Sequence, residues 1–402
     1  MKVIILVGDG MGDLPLAELQ GRTPLAVART PAMDYLARHG ELGLVTTIPA
    51  GLPPGSDVAN LSVLGFRPEE VYTGRAPLEA ASLGVQLAPG QIAFRLNLVT
   101  LAPGADGTLT MADYSAGHIS TAEARALIAA LDQELASPDL ALYPGVSYRH
   151  LLVLTGEGAD LATVPPHDHS GRDISSFLAA YGRVPALASF MARARALLAA
   201  HPVNREREAA GRPPANGVWL WGQGRAPCLP TFAQRYGLRG SLISAVDLLK
   251  GIGVYAGLTV VQVPGATGYL DTNYEGKAQA ALAALAEGDF VLVHVEAPDE
   301  ASHQGNLAGK IQAIEDFDRR IVGPVLQGLA GGPPFRLAVL MDHLTPLALR
   351  THVADPVPFV IYDGRAPRAA QAHSFCEEAA AATGLRLPDG EAFMERLLGR
   401  RP

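Results

Sequence analysis

Val3-Ile-Ile-Leu-Val-Gly-Asp-Gly10 stands near the start of the chain, and its first five residues decide the fold. A β-branched and aliphatic run without polar alternation is the pattern of a strand buried on both faces, as in a parallel sheet covered by helices. The same pattern returns at 259–263, Phe290–Val295, 337–341 and 359–362, with helical periodicity over Tyr274–Glu287 and 306–329 between them. Strands alternating with helices make βαβ units, so the expected class is α/β, a doubly wound, mostly parallel sheet.

Between these blocks the character changes. Residues 92–111 alternate apolar and polar around Gly104-Ala-Asp-Gly107, the signature of a β-hairpin. Ser120-Thr-Ala-Glu123 is a capping box that opens a helix to about Leu135, followed by a strand at 150–154 and an Ala-rich helical stretch at 175–200. Such a mixture predicts a smaller α+β domain inserted into the sheet domain. The expected division is residues 1–74 and 251–402 for the sheet domain and 75–250 for the insert. One helix is expected over 23–39, with Pro24 in its first turn and Gly40 as its stop. An extended segment at 44–48 then leads into Leu52-Pro-Pro-Gly-Ser-Asp-Val-Ala-Asn-Leu-Ser-Val-Leu-Gly-Phe66. The prolines and Gly55 impose a non-helical entry, and Val58, Leu61, Val63 and Leu64 form the inward face of a short helix. Ser56 therefore sits at a helix N-terminus, where backbone N–H groups and the macrodipole favour an anion such as phosphate. A simple N-cap is the plainer explanation of a serine there.

Composition removes several classes of function. At 402 residues two domains are the default, and 48% hydrophobic with 18% charged residues describes a globular soluble chain. A net charge of −8, with no Lys/Arg cluster, argues against a nucleic-acid partner. The five-residue apolar run at the N-terminus is too short for a signal peptide or a bilayer span, so neither secretion nor a membrane is expected. Cys228 and Cys376 have no CxxC spacing, which suits a reducing, cytoplasmic setting. Gly8-Asp-Gly-Met-Gly-Asp13 is not a GxGxxG fingerprint, and no acidic residue stands where a ribose would need it; no nucleotide is expected.

The residues just past the buried strands carry the chemistry. The first strand ends in Asp9, 290–295 runs into Asp299, and 337–341 ends in Asp342. Parallel strands deliver their carboxyl ends to one edge, where open α/β sheets bind ligands. His303 is four positions beyond Asp299, one helical turn; His343 adjoins Asp342, and His352 comes nine residues later. Taken singly, each has a bland reading as a cap, a turn or a surface histidine. Together, three carboxylates and three imidazoles form a donor set suited to divalent ions, enough with Ser56 for two. His167-Asp-His169 is a second possible metal site by composition alone; flanked by prolines and Ser-Gly, it reads rather as an exposed loop that could close over a substrate.

These motifs resemble the ordered metal motifs of the alkaline phosphatase superfamily. Asp113-Tyr-Ser-Ala-Gly-His118, Trp219-Leu-Trp-Gly-Gln-Gly224 and Gly268-Tyr-Leu-Asp-Thr-Asn-Tyr-Glu-Gly-Lys277 are similar to the archaeal-type family of cofactor-independent phosphoglycerate mutases, over nearly the whole chain. The resemblance implies interconversion of 2- and 3-phosphoglycerate through a phosphoserine at Ser56. It implies one metal on Asp9, Ser56, Asp342 and His343 and another on Asp299, His303 and His352. Mn²⁺ is the first candidate and Zn²⁺, Co²⁺ or Mg²⁺ the alternatives, with no requirement for 2,3-bisphosphoglycerate. Asp57 and Ala59-Asn60 stand where the longer bacterial branch has a glutamate and a Gly-His, which favours the archaeal-type branch. Phosphoryl transfer also needs cationic contacts, and Lys250, Arg149, Arg205 and His118 are the candidates for substrate binding. The chain is compatible with a homo-oligomer. The rival readings are a metal-dependent phosphatase or phosphonate hydrolase, a phosphotransferase acting on another hydroxy acid, and a catalytically inert metabolite-binding protein.

Overall fold

In the computed structural model, which describes residues 1–104, 108–371 and 373–400, the strand Lys2–Gly8 lies inside an eight-stranded sheet. Val3 to Val7 are wholly buried. At ~2 kcal/mol per side chain, that run contributes on the order of 10 kcal/mol of transfer free energy, so the residue that ends it is rigidly placed. Its neighbours on both sides, Phe290–Val295 and Phe335–Leu340, are parallel to it, in register at Val3↔Phe290 and Ile4↔Leu337. The sheet order runs Arg386–Leu387, Glu41–Val45, Val357–Asp363, Phe335–Leu340, Lys2–Gly8, Phe290–Val295, Gly240–Ile243, Thr259–Val260. Val357–Asp363 is antiparallel to both of its neighbours. No helix separates it from Phe335–Leu340, so the chain turns back instead of crossing over.

Two compact units divide the chain. Met1–Tyr72 with Cys228–Pro402 forms the sheet unit, and Thr73–Pro227 forms the inserted one. The C-terminal limit of the insert thus falls earlier than residue 250. Residues 228–250 carry Gly240–Ile243, which pairs in parallel with Phe290–Val295 in the large sheet. A four-residue strand is too short to announce itself by periodicity.

Prolines explain the other differences from expectation. The helix expected over 23–39 is two, Pro24–Val27 and Pro31–His39, because Pro31 has no N–H to donate and disfavours helical geometry in the residue before it. Thr23 caps the first by accepting the Ala26 N–H. The stretch 175–200 breaks likewise before Pro185, into Ser175–Ala180, a 3₁₀ turn and Pro185–Ala200. The helical run from Leu307 to Leu329 is continuous but widens to a π-turn at Asp318–Val322, just ahead of Pro324.

The inserted unit is built on an antiparallel sheet in which Gln91–Pro103 pairs with Leu109–Asp113, Arg149–Thr155 and Gly217–Gly224. Leu140–Val146 continues it beyond Arg149–Thr155. Thr121–Leu135 and Pro185–Ala200 supply Leu127, Leu131, Leu187 and Phe190 to its core. Of the expected hairpin turn, Ala105, Asp106 and Gly107 lie outside the described residues, while the strands flanking them pair antiparallel. Among the described residues no helix is long and apolar enough to cross a membrane.

Candidate active site

Four segments at the carboxyl edge of the large sheet bring their polar side chains together. Asp9 comes directly after the first strand; Asp342 and His343 come after Phe335–Leu340; Asp299 and His303 lie one turn apart on the helix Ala297–His303, directly after Phe290–Val295. Ser56 is the first residue of the helix Ser56–Val63, entered from an extended Gly55. Its hydroxyl lies 3.1 Å from His343 Nε2. The same nitrogen is 3.4 Å from Asp9 Oδ1 and 3.6 Å from Asp342 Oδ2. Asp299 Oδ2 stands 3.1 Å from His303 Nε2, and Asp299 Oδ1 stands 3.5 Å from His352 Nε2. His343 and His352 stack with ring centroids 4.0 Å apart, joining the two groups.

Hydrogen bonds fix which nitrogen of His343 is free. The Thr345 hydroxyl donates its one proton to Asp299 Oδ1 at 2.6 Å, so towards His343 Nδ1, 3.1 Å away, it accepts. His343 thus carries its proton on Nδ1 and aims the Nε2 lone pair at two carboxylate oxygens and Ser56. Burial keeps the ring neutral, holding its pKa below the ordinary value. A lone pair converging with carboxylate oxygens is repulsive unless a cation or proton lies among them. Asp9 Oδ1 is also buried with no hydrogen-bond partner.

The titration directions agree. Burial, then the adjacent Asp342, raises Asp9 well above the usual carboxylate range. Burial alone would raise Asp342 too, but the neighbouring imidazoles of His343 and His294 outweigh it and hold it well below that range. Asp299 is likewise lowered against its burial by hydrogen bonds from His303 and His352. His303 is pushed up to about 9, chiefly by its hydrogen bond to Asp299. The donor chemistry fits divalent ions: Asp9, Asp342 and His343 form one cluster of potential ligand atoms and Asp299, His343 and His352 another.

A surrounding shell holds these groups in place. Asp342 accepts from Asn60 Nδ2 at 2.9 Å and from the Gly10 and His343 backbones. Lys310, wholly buried, donates to the Gly12 and Thr345 carbonyls and to Asp13, at 2.8–2.9 Å. Asn60, Lys310, Thr345, His294 and Glu296 carry no sequence pattern that marks them as site residues. A lone polar residue in an apolar strand, such as His294 within Phe290–Val295, is the one available signal. Glu296 is pushed up to about 8 by burial and the nearby Glu300 and Asp299.

The residues expected to bind substrate are divided between the two units. In the inserted unit, His118 has left-handed φ (+49°) and packs against Tyr114 and Tyr148; Arg149 lies over Tyr148, 5.7 Å from the ring centre. Arg205 is exposed on the helix Pro202–Ala209, which packs on Thr121–Leu135 and Pro185–Ala200. Two positions on, Arg207 is the buried arginine, donating to the Ala116 carbonyl and pairing with Glu123. Lys250 belongs to the sheet unit, not the insert, and pairs with Asp247 at 3.1 Å. His167 and His169 face different partners, Trp221 and Phe177, so that motif does not converge on one ion.

A doubly wound sheet that presents carboxylates, imidazoles and a helix-start hydroxyl at its carboxyl edge defines an α/β enzyme with a candidate metal centre. A family model described as 2,3-bisphosphoglycerate-independent phosphoglycerate mutase matches residues 37–204. The probable enzyme of that name from Geobacter sulfurreducens is 52% identical over 400 residues, covering 100% of both chains. The one from Methanosarcina barkeri is 52% identical over 382 residues, 94% of this chain and 95% of its own. Among solved structures, the cofactor-independent phosphoglycerate mutase from Thermoplasma acidophilum matches with TM-score 0.67 at 30% identity, covering 100% of both chains. A protein from Pyrococcus horikoshii matches with TM-score 0.84 at 30% identity, over 100% of this chain and 98% of its own. The chain belongs to the family of 2,3-bisphosphoglycerate-independent phosphoglycerate mutases, and is an isomerase.

Proposed function

We propose that this chain interconverts 2- and 3-phosphoglycerate by passing the phosphoryl group through Ser56, beside two divalent ions. The observation that carries this reading is the Ser56 hydroxyl 3.1 Å from a nitrogen that also faces Asp9 and Asp342. One ion would be held by Asp9, Ser56, Asp342 and His343, and the other by Asp299, His303 and His352. Carboxylate and imidazole donors suit Mn²⁺ first, with Zn²⁺, Co²⁺ and Mg²⁺ as alternatives that availability decides. Bound there, such ions supply Lewis acidity that activates a hydroxyl at neutral pH and offsets charge on the transferring oxygens.

The chain's own residues do the rest. Ser56 Oγ attacks phosphorus, the bond from phosphorus to the glycerate oxygen breaks, and the serine proton passes to the departing glycerate. The glycerate reorients, its other hydroxyl attacks the phosphoserine, and Ser56 takes the proton back. The first-turn N–H groups of Ser56–Val63 lack intrahelical partners and stabilise the phosphoryl group through this exchange. His118 and Arg149 of the inserted unit are assigned to the acidic groups of the substrate, as is Lys250 of the sheet unit. A cytoplasmic location fits the two unpaired cysteines, Cys228 and Cys376.

The test is turnover of 3-phosphoglycerate by chelated and Mn²⁺-reconstituted protein, without added 2,3-bisphosphoglycerate. Reconstituted enzyme should form the 2-isomer with little free phosphate, and Ser56→Ala should abolish this. Stoichiometric release of phosphate would make the protein a phosphatase, and isomerisation by Ser56→Ala would end the phosphoserine scheme.

A further inference from the structure

His294 belongs to neither ligand set. It occupies the middle of the sheet, paired in register with Val7, and is wholly buried. Its Nε2 lies 3.1 Å from Asp9 Oδ2 and 3.9 Å from Asp342 Oδ2, beside both carboxylates, and is buried without a hydrogen-bond partner. Its Nδ1 lies 3.4 Å from the hydroxyl of Ser244, a buried residue just past the strand Gly240–Ile243. The Ser244 oxygen accepts the Val246 N–H at 3.0 Å and has its own proton to offer Nδ1. With Ser244 as the donor, the imidazole proton sits on Nε2. With the His294 ring against Asp9 Oδ2, the oxygen that faces His343 is Oδ1, which is buried, has no hydrogen-bond partner and lies 3.4 Å from His343 Nε2.

We propose that His294 is a positioning residue for the metal site built on Asp9 and Asp342, and that Ser244 sets its tautomer. It keeps the two carboxylates at a fixed separation and turns Asp9 Oδ1 toward the ion. Such outer partners of metal ligands typically change affinity about 10- to 100-fold when removed. This inference rests on the two-ion reading of the site, and it concerns only one of the two ions. Asp299 and His303 have their own partners in Thr345 and the Arg350 carbonyl.

The experiment is Mn²⁺ titration of the full chain by equilibrium dialysis and electron paramagnetic resonance, with thermal melting as a check of folding. Wild type should bind two ions. His294→Leu should weaken one of them about 10- to 100-fold and leave the other unchanged. His294→Gln, which keeps an N–H donor, should recover most of the loss, and Ser244→Ala should show a smaller loss at the same ion. Two ions bound with wild-type affinity by His294→Leu would overturn the inference while the two-ion reading stood. So would His294→Gln behaving as badly as His294→Leu with its fold intact, since packing alone would then explain the effect. If His294→Leu does not fold, the Gln and Ser244→Ala arms decide. Failure of the wild type to bind two ions would count against the two-ion reading itself.

Discussion

Nε2 of His303 and Nε2 of His352, 49 positions apart in sequence, face one another at 3.0 Å. The Nδ1 proton of His303 goes to the Arg350 carbonyl at 2.9 Å, and Arg350 takes left-handed φ (+54°) to present it. Two ring nitrogens at that distance, with Asp299 beside both, need a proton or a cation between them. Divalent ions should therefore stabilise the fold markedly. At a hundredfold excess over Kd one ion adds about 2.7 kcal/mol, or roughly 5–10 °C in Tm for a unit of this size. Melting curves of chelator-stripped protein with and without Mn²⁺ check this. Identical curves would leave the site without a cation.

Gly10 separates the two halves of the site and does so by having no side chain. At φ +60° a Cβ would come within 2.6 Å of both Asp299 Oδ1 and the Thr345 hydroxyl. Gly10→Ala should push Asp299 off its hydrogen bond, and since a small misplacement at a reacting centre can cost about 100-fold, kcat should fall by that order. Circular dichroism should remain that of the wild type. Wild-type kcat in the folded variant would show that the carboxylate position does not matter.

Lys310 and Asp13 form an ion pair with no exposed surface, 2.8 Å between charges. Removing one member strands the other, so Lys310→Met should destabilise the protein by about 3–5 kcal/mol. Asp13 also accepts the Leu347 N–H, a role asparagine can retain. The double variant Lys310→Met/Asp13→Asn should therefore recover part of the loss. Urea midpoints of the two single variants and the double variant measure the coupling, and simple additivity would mean the pair is not an energetic unit.

Legibility in the sequence has a physical cause. Tyr274–Glu287 and Phe290–Val295 fall where their periodicity puts them, because a buried strand or an amphipathic helix writes its environment along the chain. Asp9, Asp299 and Asp342 are visible because each closely trails an apolar run. His294 and Lys310 are not, since a single polar residue inside an apolar element does not say what it meets across the sheet. Arg205 and Arg207 make the point at a spacing of two: one is exposed and the other buried against Glu123 and Ala116, and only the packing distinguishes them.

His150 gives the inserted unit its own pH dependence. The ring is buried, its Nδ1 accepts the Gly145 N–H at 3.0 Å, and burial pulls its pKa down to about 4. An unfolded histidine titrates near 6.5, so between the two values the unfolded chain binds the extra proton and stability rises with pH. The contribution is complete above about pH 6.5 and is lost as pH falls through about 4. At 1.36 kcal/mol per pKa unit it is worth roughly 3 kcal/mol. Both tryptophans of the chain, Trp219 and Trp221, lie in the strand Gly217–Gly224 of this unit, so their fluorescence reports its unfolding alone. Urea titrations followed at that signal should lose stability from pH 6.5 to pH 4. His150→Asn, which still offers an acceptor to Gly145, should flatten the slope in that window. An unchanged slope in the variant would assign the acid sensitivity to other groups.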